Sequence, residues 1–410
     1  MGYTIAILLY SLLIKLASLF NEKARKFTKG RQGLFENLLA NYQPGDRKVA
    51  WFHCASLGEF EQGRPVIEKY KQEFEDHFIL LTFYSPSGYE LRKDYKGADY
   101  ICYLPMDTPA KSKKFIEMTQ PDIAFFVKYE FWPNYLKILI KKGIPVISFS
   151  TIFRKDQAFF KWYGGPYRNI LNAFSMFFLQ NKASAELLEE HSISNYTITG
   201  DTRFDRVAEI AANPQSLPLI QRFKAEKKFI VVGSSWTADL DLLIPFINND
   251  GNNFKVIIAP HEIHESHIQS LIGRLSRSVV RYSEINVDNL HADVLIIDSI
   301  GLLSSIYQFA DLAYIGGAFG KGLHNTLEAV IFNTPVIFGN KNYEKFQEAV
   351  DMIELDLAWP VGTTSEFEYH LKKYMEDEEF KIEIQSKIKQ YIEQNMGATD
   401  HIISYCKTLV

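Results

Sequence analysis

The chain has 410 residues, enough for two domains of ordinary size, and its 47% hydrophobic and 23% charged content supplies full cores and excludes disorder. The formal net charge of −4 excludes a global basic field for nucleic acid, so any anionic partner is met locally. Cys54, Cys102 and Cys406 lie far apart and form no CxxC pair, which favours a reducing compartment and excludes a cysteine-based zinc module.

The segment from Tyr3 to Phe20 is apolar with one charge, Lys15. As a helix it spans about 27 Å, marginal for crossing the hydrocarbon core. It lacks the basic n-region and small-residue cleavage site of a signal peptide, so its retention is expected. Lys23, Arg25, Lys26, Lys29 and Arg31 follow directly. A basic cluster behind an apolar helix holds that side in the cytoplasm and attracts anionic headgroups. Residues 1–22 are therefore expected to anchor the chain, either spanning the membrane or lying in its interface. The competing reading is a helix packed on the core.

Short β-rich apolar runs then alternate with helical stretches. They are Val49–His53, Phe78–Phe83, Tyr100–Leu104, Ile123–Val127, Pro145–Phe149 and Met176–Leu179, followed by Phe229–Val232, Lys255–Ala259, Val294–Ile297, Leu312–Ile315 and Pro335–Phe338. Continuous hydrophobicity marks strands covered on both faces, hence parallel sheets with helical crossovers. Two doubly wound sheets accommodate these runs better than one. The expected fold is α/β of the GT-B type: Rossmann-like domains at 23–206 and 229–390 facing a cleft, joined by 207–228 with Asn213-Pro214 and Pro218. Residues 391–410 are expected as a helix packing back on the first domain. Ligands of such folds bind at the carboxyl ends of the strands.

Several such ends carry chemistry. Cys54-Ala55-Ser56-Leu57-Gly58-Glu59 follows the first strand. Ser56 and Glu59 have the spacing of a capping box, while a carboxylate at this edge is also placed to act as a general base. Lys128-Tyr129-Glu130-Phe131-Trp132-Pro133-Asn134 follows the fourth. Glu130 there either orients a sugar or pairs with Lys128. In Gly200-Asp201-Thr202-Arg203-Phe204-Asp205, the Arg203 guanidinium suits a phosphate. Most pointed is Ile315-Gly316-Gly317-Ala318-Phe319-Gly320-Lys321-Gly322-Leu323-His324-Asn325-Thr326-Leu327-Glu328. A strand runs into a glycine loop and a helix start, where backbone N–H groups and the helix dipole suit one nucleotide phosphate. Glu328 is placed to accept from ribose hydroxyls, and Lys321 adds positive charge. The loop is neither a Walker A sequence nor a clean GxGxxG.

Two patterns imitate metal sites. His261-Glu262-Ile263-His264 is not HExxH, because the second histidine is three residues on. Asp239-Leu240-Asp241 matches a DxD but falls at a helix start, where acids favour the dipole anyway. No metal is expected.

Together these segments resemble the family of 3-deoxy-D-manno-octulosonic acid (Kdo) transferases. The matching pieces are HCASLGEFEQGRPVIE, EFWPN, GDTRFD, GSSW, APHE and GGAFGKGLHNTLEA, in family order behind an apolar helix with a basic flank. The resemblance implies an inverting glycosyltransferase of lipopolysaccharide biosynthesis. It moves Kdo from CMP-Kdo to the lipid A precursor lipid IVA, without metal or cofactor, at the cytoplasmic face of the bacterial inner membrane. It implies that Glu59 is the catalytic base, with Glu130 and Arg203 supporting the transition state. It places CMP contacts at Pro260, His261, Gly301, Leu302, Leu303, Gly317, Asn325, Thr326, Leu327 and Glu328. The sequence departs from the family pattern at Lys128, His261, Arg203 and Gly301-Leu302-Leu303. A lipid-disaccharide synthase or an epimerase on the same fold, and a membrane-tethered nucleotide-sugar binding protein, are the alternatives.

Overall fold

The computed structural model describes residues 2–249, 251, 253–320 and 322–409, without the side chain of Pro166. Two compact units result: one holds the residues up to Arg206 together with those from Asn395 onward, and the other is Val207–Gln394.

The first unit is built on a parallel sheet of seven strands: β1 Val49–Cys54, β2 Phe78–Phe83, β3 Tyr100–Tyr103, β4 Ile123–Val127, β5 Val146–Thr151, β6 Met176–Leu179 and β7 Tyr196–Ile198. Their order is β3-β2-β1-β4-β5-β6-β7. β1, β2, β4 and β5 are buried along their whole length, as continuous apolar runs require. Two cores result. Trp51, Leu80, Phe126 and Tyr135 lie on one face, and Phe52, Leu81, Phe125 and Tyr70 on the other. Helix Ala398–Cys406 joins the second core through Ile402, Ile403 and Cys406. Cys54, Cys102 and Cys406 are all free and buried.

The second unit repeats the plan with β8 Lys228–Ser235, β9 Phe254–Pro260, β10 Val279–Arg281, β11 Val294–Ile296, β12 Leu312–Ile315, β13 Val336–Gly339 and β14 Ala358–Val361. Their order is β10-β11-β9-β8-β12-β13-β14, again parallel throughout. Each sheet reverses its winding once, between β1 and β4 and between β8 and β12. Those switch points open the crevices in which doubly wound sheets bind ligands.

Three strands escaped the sequence pattern: β7, β10 and β14. All are edge strands of three or four residues; β7 and β10 are largely half-buried, and β14, though mostly buried, is short and interrupted by Pro360. Pro360 in β14 is tolerated because an edge strand has no second ladder to feed. Residues 207–228 are largely helical, through Arg203–Ala212 and Pro218–Lys224, and bury Ile220 and Phe223.

The N-terminal helix runs from Gly2 to Ala17, and among the described residues no helix is long and apolar enough to cross a membrane. Its facing is inverted relative to an ordinary surface helix. Tyr3, Thr4, Ile7, Ser11 and Ile14 are half-buried, whereas Ile5, Leu8, Leu9, Leu12, Leu13 and Leu16 are exposed. Phe20, just beyond, is 90% exposed.

Candidate functional site

At the first switch point, β1 ends in His53-Cys54 and β4 leads into Lys128 and Glu130. Glu59 lies in the first turn of helix Leu57–Glu73 and is buried. Its Oε2 accepts from the Ser56 amide at 2.7 Å and the Ser56 hydroxyl at 3.0 Å, so the capping spacing does form a cap. The cap uses one carboxylate oxygen. Burial pushes Glu59 above the usual carboxylate range, against the opposing pull of Lys128 and the Ser56 hydrogen bonds. Burial first, and the charge of Glu59 second, push Glu130 up to about 8, with Trp132 and Lys128 acting the other way. The acids titrate as a pair, and near neutrality they share one proton, held by Glu130. A protonated Glu130 is a hydrogen-bond donor, set next to a second carboxyl group that is placed to act as a base.

His53 extends this arrangement. It is fully buried, and its Nε2, without a hydrogen-bond partner among the described residues, lies 3.9 Å from Glu130 Oε2. Burial lowers its pKa to about 3, so the contact is not an ion pair. Its Nδ1 meets Thr82 Oγ1 at 2.9 Å, and that oxygen also accepts from Trp51 Nε1 at 2.8 Å. Lys128 carries its neighbours' electrostatics from a left-handed backbone, φ 62°, pinned by its N–H to Phe149 O and by Ser148 Oγ donating to its carbonyl.

The Trp-Pro-Asn turn is bolted to Asp107. Pro133 opens helix Pro133–Lys141, and Asn134 donates from its amide to Asp107 Oδ2 at 3.2 Å and from Nδ2 to Asp107 O at 2.9 Å. Tyr3 of the N-terminal helix donates to the same Oδ2 at 2.8 Å. Arg31 spans the neighbouring strand ends, donating to Leu104 O and Tyr84 O and lying over the Phe27 ring at 3.8 Å. The apolar helix is thereby fixed at the rim that carries Glu130. Arg203 is held by Asp201 through Nε at 3.0 Å and Nη2 at 2.8 Å, and Gln62 donates to the same oxygen at 2.8 Å.

At the second switch point, β8 leads to Trp236, β9 to Pro260-His261 and β12 to Gly316-Gly317. Asp239 is buried and accepts from the Trp236 and Gly317 amides, each at 2.9 Å, and from the Tyr314 hydroxyl at 3.0 Å. Asp241 pairs with Arg274 at 2.6 Å. The DxD pattern is therefore spent on tying the loop to the strand and on a surface ion pair. Gly316 is required: a Cβ there would stand 2.4 Å from the Ser234 carbonyl oxygen. Gly317 has φ 99°, and a Cβ there would meet His324 Cδ2 at 2.8 Å.

The glycine loop narrows two expectations. The amides of Gly316, Gly317, Gly320, Gly322 and His324 donate to Gly233 O, Asp239, Gly317 O, Gly317 O and Gly316 O, so these five are engaged within the protein. The helix beyond, Leu327–Val330, is a single turn, too short for a sizeable dipole. Asn325 donates to Glu328 Oε1 at 3.0 Å and accepts from the Leu327 amide, orienting the Glu328 carboxylate. Thr326 is buried, and its hydroxyl has no hydrogen-bond partner among the described residues. Lys321 lies outside the described residues. Gly301 has φ 94°, and Leu302 and Leu303 open the short helix Leu303–Ile306.

His53, Asp107, Trp236 and His324 were missed as site residues. His53 and Trp236 carried a signal: each ends or follows a core strand at a winding reversal. Asp107 carried none.

Residues 28–206 match the family model described as 3-deoxy-D-manno-octulosonic-acid transferase (kdotransferase). The chain is 28% identical over 296 residues, 70% of its length and 75% of the relative's, to a 3-deoxy-D-manno-octulosonic acid transferase of Aquifex aeolicus. It is 22% identical to the enzyme of that name from Haemophilus influenzae, covering 96% of this chain and 94% of that one. In fold it is similar to a UDP-GlcNAc 2-epimerase from Neisseria meningitidis, with TM-score 0.62 and 15% identity over 88% of this chain and all of that one. Fold and relatives together define a glycosyltransferase of the GT-B class. Within that class the chain is a relative of the Kdo transferases.

Proposed function

We propose that the protein transfers Kdo from CMP-Kdo to a lipid A precursor, with Glu59 as general base. The observation that carries this reading is the coupled acid pair at the first switch point, a buried Glu59 in the first turn of its helix with Glu130 pushed up to about 8 by burial first and by the charge of Glu59 second. Glu59 takes the proton of the acceptor hydroxyl as that oxygen bonds to the anomeric carbon of Kdo. The carbon–oxygen bond to the phosphate breaks, CMP departs, and the configuration inverts. Such a base contributes about 10²–10⁴-fold. Glu130 and Arg203 stabilise developing charge in the transition state. The second unit holds the nucleotide through Glu328 and the strand ends of β8, β9 and β12. A monophosphate leaving group needs less neutralisation than a diphosphate, consistent with transfer that uses no metal.

The acceptor is an amphiphile, and the outward Leu face of the N-terminal helix, followed by Lys23, Arg25, Lys26 and Lys29, suits an anionic membrane surface at the cytoplasmic side. Tyr3 ties that helix to Asp107, and Asp107 ties it to the Glu130 turn, so the lipid-facing element and the acid pair are parts of one rim. Incubation with CMP-Kdo and tetra-acylated lipid A precursor, followed by mass spectrometry of the lipid, tests the reading. Addition of one or more Kdo masses is expected; an unmodified lipid with intact CMP-Kdo would overturn it.

A further inference from the structure

Five amides of the glycine loop are engaged within the protein, so a side-chain donor adds to what the loop offers a phosphate held beside it. Three rings lie there. Trp236 stacks on His261 with centroids 4.2 Å apart and planes 23° apart, and His261 lies 4.8 Å from His324. The Trp236 indole N–H meets His324 Nε2 at 3.2 Å. The backbone of Trp236 is itself held by Asp239, whose same carboxylate oxygen takes the Gly317 amide, so the indole and the loop share one anchor. His324 in turn lies over Gly317, where any Cβ would strike its ring.

An indole nitrogen only donates. His324 Nε2 must therefore accept, which leaves the ring neutral with its hydrogen on Nδ1. Burial first, then His261, lowers the His324 pKa to about 4, in keeping with a ring that stays neutral. Two residues on, the Thr326 hydroxyl supplies a second polar group, without a hydrogen-bond partner among the described residues.

We propose that Trp236 is a positioning residue: its indole N–H holds His324 in the Nδ1–H form, making that nitrogen a neutral donor to the nucleotide's phosphate. The proposal rests on the nucleotide-sugar reading of the second unit. Indole donation costs the folded site nothing new on binding, because the tautomer is already selected before the anion arrives.

The test has two arms. Nitrogen-15 spectra of the histidines in the full chain without nucleotide, with the His324→Gln variant used for assignment, report the tautomer directly. The Nδ1–H form is expected in the unaltered protein and a mixture in Trp236→Phe, which keeps an aromatic ring but loses the donor. Calorimetry then compares CMP with cytidine. Trp236→Phe should weaken CMP about tenfold, the scale of one hydrogen bond to a charged group, and leave cytidine unchanged. A Nε2–H His324 in the unaltered protein, or equal losses for CMP and cytidine, would overturn the proposal. Failure of the unaltered protein to bind either ligand would instead sink the nucleotide reading, with the tautomer arm still deciding the role of Trp236.

Discussion

Replacing Glu130 by Gln removes one titrating group from the acid pair while keeping its size. In the folded chain Glu130 is raised from an ordinary 4.5 to about 8. A raised folded value means that its contribution to stability is complete below about 4.5 and is lost as the pH climbs through 8. At about 1.36 kcal/mol for each step on the pH scale, the ceiling is roughly 5 kcal/mol. Water penetration and local relaxation reduce that to about 1–3 kcal/mol, since buried sites behave as if their dielectric were well above that of dry protein. Glu130→Gln lacks this slope, so relative to the unaltered protein it should gain about 1–3 kcal/mol between pH 5 and pH 9. Denaturant midpoints at the two pH values, followed by tryptophan fluorescence, read the difference. The same substitution should remove an alkaline limb near pH 8 from the pH–rate profile, because ionised Glu130 puts a second negative charge beside Glu59. Parallel stability profiles for the two proteins, or an alkaline limb surviving in Glu130→Gln, would refute the shared-proton argument.

Other predictions follow from the same geometry. Glu328→Ala should weaken CMP by about 1–3 kcal/mol through loss of ribose hydrogen bonds, and unchanged calorimetric affinity would remove Glu328 from the site. Transfer should continue in excess EDTA, whereas abolition by EDTA and restoration by Mg²⁺ or Mn²⁺ would bring a metal-dependent mechanism back. Replacing Leu9, Leu13 and Leu16 by Ser should cut co-sedimentation with phosphatidylglycerol vesicles at least about tenfold, since each buried methylene is worth about 0.8 kcal/mol. Unchanged partitioning would give membrane attachment to some other surface.

The sheet cores were legible because strands such as Phe78–Phe83 and Ile123–Val127, buried on both faces, are written as unbroken apolar runs. Half-exposed edge strands obey no such rule, and Tyr196–Ile198 and Val279–Arg281 passed unseen. Site residues divide the same way. Glu59 and Glu130 were readable because each follows a core strand within a few positions. Asp107 was not: its partners Tyr3, Ser112 and Asn134 come from three separate segments, and no local period records a long-range hydrogen bond. The glycine loop was legible in part, with the amides of Gly316, Gly317, Gly320, Gly322 and His324 engaged within the protein. Its composition suggested free amides, but whether an amide points outward depends on φ values such as the 99° of Gly317, which composition does not specify. The N-terminal helix was read correctly as apolar, while its shorter span, Gly2–Ala17, follows from the turn at residues 18–20.

The central claim is that Glu59 removes the acceptor proton, and single-turnover transfer by Glu59→Gln tests it most directly. Glutamine can still accept from the Ser56 amide, so the helix cap that Glu59 forms at 2.7 Å survives and the fold is preserved. The account predicts at least about a hundredfold slower transfer from CMP-Kdo, the scale of a lost general base, with CMP affinity unchanged. Near-normal transfer by Glu59→Gln would show that this carboxylate only caps its helix and would contradict the account.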